Sequence, residues 1–251
     1  MDYLASILEL DSSQDRFEWG KDTATKFSST QLTNGRLLAV LSKVGYKASM
    51  GIAVALTELI QLRSKNQYPY INITEEFAPK IEALWAAAID PLYLRDPFFD
   101  YKYADENGVK ATYSSNWYIL RYIARRYIAG SYYIHEFLVN IAMLTRHLMP
   151  NKGLFDKWFT ETMQKTVETF PCLYDYGDLD ENDEKAVYDC SADVPVPREF
   201  FFNPEFIYSP NAAKSVLNSF LKSLNYRNNL WLCTPEEMLE KGFKGTPYKV
   251  E

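Results

Sequence analysis

The stretch SNWYILRYIARRYIAGSYYIHEFLVNIAMLTRHLMP, residues 115–150, decides the fold class. Leu120, Ile123, Tyr127, Gly130, Ile134, Leu138, Ile141 and Leu148 recur three, four or seven positions apart, the spacing of one face of an α-helix. Ser114 or Ser115 can cap its start, and Pro150 lies just past its end. Read as one element, it runs for roughly 50 Å at about 1.5 Å per residue. It is expected to be the spine of a predominantly α fold.

On the N-terminal side, residues 36–64 carry Leu37, Leu38, Leu41, Val44, Ile52, Leu56, Leu59 and Ile60 in a broken helical stripe. Gly45 and Gly51 interrupt it, so it reads as a kinked helix or as two, with the small residues Ala48 and Ser49 allowing close packing. Thr74 can cap a further helix bearing Ile81, Leu84, Trp85, Ala88 and Leu92, which Pro91 should end or bend. Residues 98–114 change period: Phe99, Tyr101 and Tyr103 alternate, then Val109, Ala111 and Tyr113, around Asn107-Gly108. This pattern predicts one small β-hairpin insert.

On the C-terminal side, Leu154, Trp158, Phe159, Met163, Val167 and Phe170 predict a helix stopped by Pro171. Periodicity then disappears, and 171–208 reads as a long irregular acidic and aromatic loop with Pro195, Pro197 and Pro204. Ser209-Pro210 marks a helix start, with Val216, Leu217, Phe220, Leu221 and Leu224 on its face. Thr234-Pro235-Glu236-Glu237 is a capping box opening a short helix that ends near Gly242, ahead of an extended tail. These readings give a single helical domain, 1–251, bundle-like, with six or seven helices.

Composition bounds the function. The 251 residues include 19 Tyr, 15 Phe and 5 Trp, enough large rings to fill a sizeable core. A net charge of −6 has the wrong sign for a general binder of nucleic acid or anionic membrane. No secretory signal pattern opens the chain, and the longest apolar run, Met50 to Leu56, covers a third of the ~20 residues of a spanning helix. Three cysteines without a CxxC suit reduced thiols and a cytoplasmic setting, although Cys172 and Cys190 bracket an acidic stretch that a bridge could close.

Familiar catalytic signatures are missing: there is no phosphate-cradling GxxxxGK[ST], no GxGxxG after a strand and no GxSxG elbow. His135-Glu136 begins like HExxH, but Val139 stands where the second zinc ligand belongs. Only His135 and His147 exist, both read as satisfied imidazoles. No nucleophile or base is identifiable, so the reading leans away from an enzyme, and neither metal nor cofactor is expected.

Three features remain. Residues 171–193 hold Asp175, Asp178, Asp180, Glu181, Asp183, Glu184, Asp189 and Asp193 against Lys185 alone, a net −7 that leaves +1 for the rest of the chain. Clustered charge of this kind steers a basic partner, and the interleaved Tyr174, Tyr176 and Tyr188 supply rigid contact area. The same stretch has EF-hand-like spacing at Asp178, Asp180, Asn182, Glu184 and Asp189, but Asp183 stands where the turn needs glycine. The second feature is an Arg/Tyr face, Tyr118, Arg121, Tyr122 and Arg125, able to hold an anion or simply to pack. The third is a pair of aromatic loops at 96–101 and 200–206, expected to fold over the core.

The sequence therefore predicts a cytoplasmic acidic protein that docks or neutralises a basic partner. Its binding residues are Asp175, Tyr176, Asp178, Asp180, Glu181, Asp183, Glu184 and Tyr188. The concrete version is an immunity-type inhibitor of a basic toxin, an analogy of charge alone. The alternative is an enzyme or small-ligand binder using the Arg/Tyr face for an anionic ligand.

Overall fold

The computed structural model describes Phe27 and residues 34–67, 73–95, 109–132, 134–174 and 187–251. These form nine α-helices: α1 (Gly35–Leu41), α2 (Tyr46–Gln67), α3 (Ile73–Ile89), α4 (Val109–Ile128), α5 (His135–Leu148), α6 (Lys152–Thr169), α7 (Glu199–Phe202), α8 (Pro210–Ser223) and α9 (Pro235–Glu240). Single 3₁₀ turns lie at Pro91–Tyr93 and Cys190–Ala192. The predominantly α class is as expected.

The centre is α2. Helices α3, α4 and α5 all pack against it, and α4 packs on α5. Every residue from Tyr46 to Thr57 is buried, so the helix has no solvent face there and no single stripe. Its small residues let neighbours approach: a Cβ on Gly51 would meet the Phe201 ring at 3.2 Å. Gly45 separates α1 from α2, which settles the two-helix reading of 36–64.

The expected 115–148 spine is two helices. Gly130, at φ +68°, closes α4, with its N–H on Tyr127 O at 3.1 Å and the Ser131 N–H on Arg126 O at 2.9 Å. That is a Schellman ending, whose left-handed residue glycine adopts without the Cβ penalty. The apolar spacing stays in phase across the break, because Tyr127 and Ile134 are both buried on either side of it.

The hairpin is also corrected. Val109, Ala111 and Tyr113, read as its second strand, lie in the first turns of α4, and the described residues contain no strand. Alternation over five residues also fits the start of a helix, and here the stripe of Trp117, Leu120, Ile123 and Tyr127 runs on from it. Residues 96–108, with the Asn107-Gly108 turn and the first aromatic loop, lie outside the described residues.

Several boundaries match the local chemistry. Asp90 Oδ1 accepts the Leu92 N–H at 2.9 Å, with Pro91 opening the 3₁₀ turn after α3. Thr74, expected as a cap, lies instead inside α3. Asn151 caps α6, Ser209 caps α8 ahead of Pro210, and Thr234 with Glu237 forms the capping box of α9. The second aromatic loop is core: Phe200 and Phe201 are buried, Trp158 Nε1 donates to Phe201 O at 3.2 Å, and the Phe202 ring stacks on Trp158. Arg198 grips Glu58 from α2 through Nε at 3.0 Å, fixing α7 against the bundle.

Candidate functional site: the neck of the acidic segment

The two ends of the acidic segment converge. On the incoming side Gly45 N–H donates to Phe170 O at 2.8 Å, and Cys172 N–H to Lys43 O at 2.8 Å, pairing Val44 with Pro171. Gly45 is required there, because a Cβ would lie 3.1 Å from Pro171 O and 3.3 Å from Phe170 O. On the returning side Tyr188 N–H donates to Gly130 O at 2.9 Å. A Cβ on Gly130 would fall 2.4 Å from Val187 Cγ1, so this glycine is both turn and seat.

Four tyrosines close the neck. The Tyr174 and Tyr188 rings are 4.5 Å apart at their centroids, Tyr132 lies 4.9 Å from Tyr174 and 5.6 Å from Tyr188, and Tyr46 lies 5.1 Å from Tyr188. Ring pairs of this kind contribute roughly 0.5–1.5 kcal/mol each beyond their burial. The Tyr46 hydroxyl lies 3.0–3.1 Å from the carbonyls of Arg126, Tyr127 and Ser131, so α2, the α4 ending and the neck form one assembly.

Asp193 ties this assembly to the central helix. Its buried carboxylate accepts the N–H groups of Tyr46 at 2.7 Å and Lys47 at 3.3 Å, and its other oxygen accepts the Tyr188 hydroxyl. A carboxylate at a helix N-terminus satisfies orphan donors and faces the positive end of the dipole. Burial, then the bond to Asp193, drives the Tyr188 phenol well above its ordinary range. Burial pushes the Cys190 thiol up to about 11, against the pull of Lys47, and raises Asp90. Asp189 is exposed; the Ser191 N–H at 2.9 Å, then the Ser191 hydroxyl, holds it below the usual carboxylate range.

The predicted contact residues divide accordingly. Asp175, Tyr176, Asp178, Asp180, Glu181, Asp183 and Glu184 lie outside the described residues, as do Asn182 and the calcium-like spacing up to Asp189. Tyr188 is a neck residue, half-buried and bonded to Asp193. Both acids of the segment that lie among the described residues are engaged in the fold: Asp193 caps α2, and Asp189 caps the Cys190–Ala192 turn. The role of Asp193 carries no local signal, since its helix begins 147 positions earlier.

The other candidates have their own places. Tyr122 stacks on Phe137 of α5 at 5.4 Å, and the Tyr118 hydroxyl lies 3.4 Å from that of Tyr122; Tyr118 and Arg125 are exposed, while Arg121 is half-buried. His135 is buried with Nε2 3.2 Å from Ser49 Oγ, and His147 lies against the Phe27 ring at 5.2 Å. Among the described residues no cluster of His, Cys, Asp and Glu is placed to hold a metal, and no helix is long and apolar enough to cross a membrane. Cys172, Cys190 and Cys233 form no disulfide. Compared with known proteins, the chain matches no family model, no curated relative and no solved structure.

Proposed function

We propose that this chain docks a basic protein partner through the acidic segment 171–193, in the manner of an inhibitor that neutralises a basic toxin. The supporting observation is the neck. Asp175, Asp178, Asp180, Glu181, Asp183 and Glu184 stand opposite Lys185 alone between Tyr174 and Val187, whose stems are held together by four rings and the buried Asp193. Charge tethered at a fixed point on a packed scaffold raises encounter rates and rejects partners of the wrong sign.

The test is affinity capture at low and high salt, with the wild type beside a variant carrying Asp178→Asn, Asp180→Asn, Glu181→Gln, Asp183→Asn and Glu184→Gln. Docking predicts a basic protein captured by the wild type, released by salt and lost in the variant. Identical capture by both proteins sinks the reading. The exposed Tyr118 and Arg125 on α4 favour a second reading, an anionic small ligand held by Arg121 and Arg125 with Tyr118 and Tyr122 beside them. There Arg125→Ala would abolish ligand binding and the five-fold neutralisation would leave it intact.

A further inference from the structure

We infer that Cys233 and Lys241 form a modification site: hydrogen peroxide joins them through a sulfur–nitrogen bond that thiols reverse. The inference is independent of the docking reading. Lys241 Nζ donates to Cys233 Sγ at 3.1 Å, within the roughly 3–3.5 Å from which two positioned atoms react. The fold fixes both ends of this contact. The Cys233 N–H donates to Tyr93 O at 2.8 Å, and its carbonyl accepts the Tyr248 hydroxyl at 2.5 Å. Lys241 closes α9: its N–H donates to Glu237 O at 3.1 Å, and the Phe243 N–H returns to Met238 O at 3.0 Å around Gly242, at φ +89°. Side chains of a helix lean toward its N-terminus, so Lys241 reaches back along α9 to the residue before the Thr234 cap. Glu237 is the nearest acid in sequence able to hold this ammonium, but Arg95 at 2.8 Å and the Thr234 N–H at 2.7 Å engage its carboxylate. The lysine bonds to sulfur instead.

The chemistry balances with peroxide as the only oxidant. Once the thiol proton has gone to solvent, the sulfur is the nucleophile. Its lone pair attacks one peroxide oxygen, the O–O bond breaks, and the leaving hydroxide takes the proton that Lys241 holds against sulfur. Sulfur is oxidised by two electrons to the sulfenic acid, peroxide is reduced to water, and Lys241 is left as a neutral amine. The amine lone pair then forms the N–S bond, the S–O bond breaks, and the hydroxide departs as water with one amine proton. Sulfenic acids condense with nitrogen in this way, and condensation forestalls the irreversible step to sulfinic acid. Two thiol molecules restore both side chains and leave as one disulfide. Cys233 has no exposed surface, whereas Lys241 is exposed, so a swing of that side chain admits a reagent close to water in size.

The test treats the native wild-type chain with hydrogen peroxide, then denatures it, alkylates it with N-ethylmaleimide and digests it with trypsin for mass spectrometry. Trypsin cuts after Arg227 and Lys241, so both residues fall in one peptide, 228–241. The crosslink should abolish the cut after Lys241 and yield a peptide running to Lys244, unalkylated and lighter by two hydrogens. Dithiothreitol before alkylation should restore the cut and the free thiol. Lys241→Arg keeps a cation at this exposed position but offers no amine lone pair. It should lose the crosslink and still be cut after residue 241. The site is overturned if Cys233 in the wild type gains two or three oxygens, or pairs with Cys172 or Cys190. It is equally overturned if Cys233 stays fully alkylated at peroxide doses that oxidise Cys172, or if the wild type and Lys241→Arg give the same product.

Discussion

Asp193 accepts the Tyr46 amide at 2.7 Å and so caps the central helix of the fold from 147 positions further along the chain. The same carboxylate receives the Tyr188 hydroxyl, so one buried group joins the start of α2 to the end of the acidic segment. Asp193→Ala should leave two helix N–H groups and a phenol without their acceptor, a loss of about 1–3 kcal/mol. Asp193→Asn, which keeps one acceptor oxygen, should lose less. Urea midpoints of the two variants, compared at equal m-value, check the order.

Gly130 and Gly242 form a matched pair. Both have positive φ, +68° and +89°, but a Cβ on Gly242 meets nothing within 4 Å, while one on Gly130 meets Val187 at 2.4 Å. Gly242→Ala should cost the conformational penalty alone, about 1 kcal/mol. Gly130→Ala should cost about 1–3 kcal/mol more by unseating Val187. Equal losses in thermal unfolding would show that the Val187 contact has no energetic weight.

His135 predicts a pH dependence. Burial lowers its pKa from 6.5 to about 4, against a hydrogen bond to the Val44 backbone. The folded state therefore keeps the imidazole neutral where the unfolded chain binds a proton. This contribution to stability is fully present above pH 6.5 and is lost as pH falls from 6.5 to about 4, a loss of about 3 kcal/mol at most. His135→Gln should flatten that part of the curve when urea midpoints are measured from pH 4 to 7.

The thiols should react in order of access. Cys172 is half-buried, Cys233 is fully buried, and Cys190 is buried with its pKa raised to about 11, which leaves little thiolate at neutral pH. Titration with an aromatic disulfide reagent should find one fast thiol in the native protein and three in denaturant. Loss of the fast phase in Cys172→Ser would assign it.

The helical class and most boundaries were legible because caps and stops act locally: Ser209-Pro210, Thr234 with Glu237, and Pro91 each do what neighbouring residues dictate. The organisation around them was not. A stripe is the signature of a helix at the margin of a core, so the striped segment 115–148 reads as the spine, whereas α2, buried on every side from Tyr46 to Thr57, shows only a broken stripe. Gly130 was counted as a packing position because the apolar phase survives its turn. Val109 to Tyr113 show that five alternating residues do not separate strand from helix. At the candidate site, the charge was visible in composition, whereas the neck depends on Tyr46, Tyr132 and Asp193, brought together only by tertiary structure.

Rings and the Asp193 carboxylate fix both ends of the acidic segment on the packed fold. The chain between Tyr174 and Val187 spans two points already fixed by the rest of the fold. Closure entropy grows only logarithmically with length, about 0.6 kcal/mol for each doubling. A change of length between the two anchors should therefore cost little in closure entropy, since the rings and the carboxylate that hold the neck shut come from residues on either side of it.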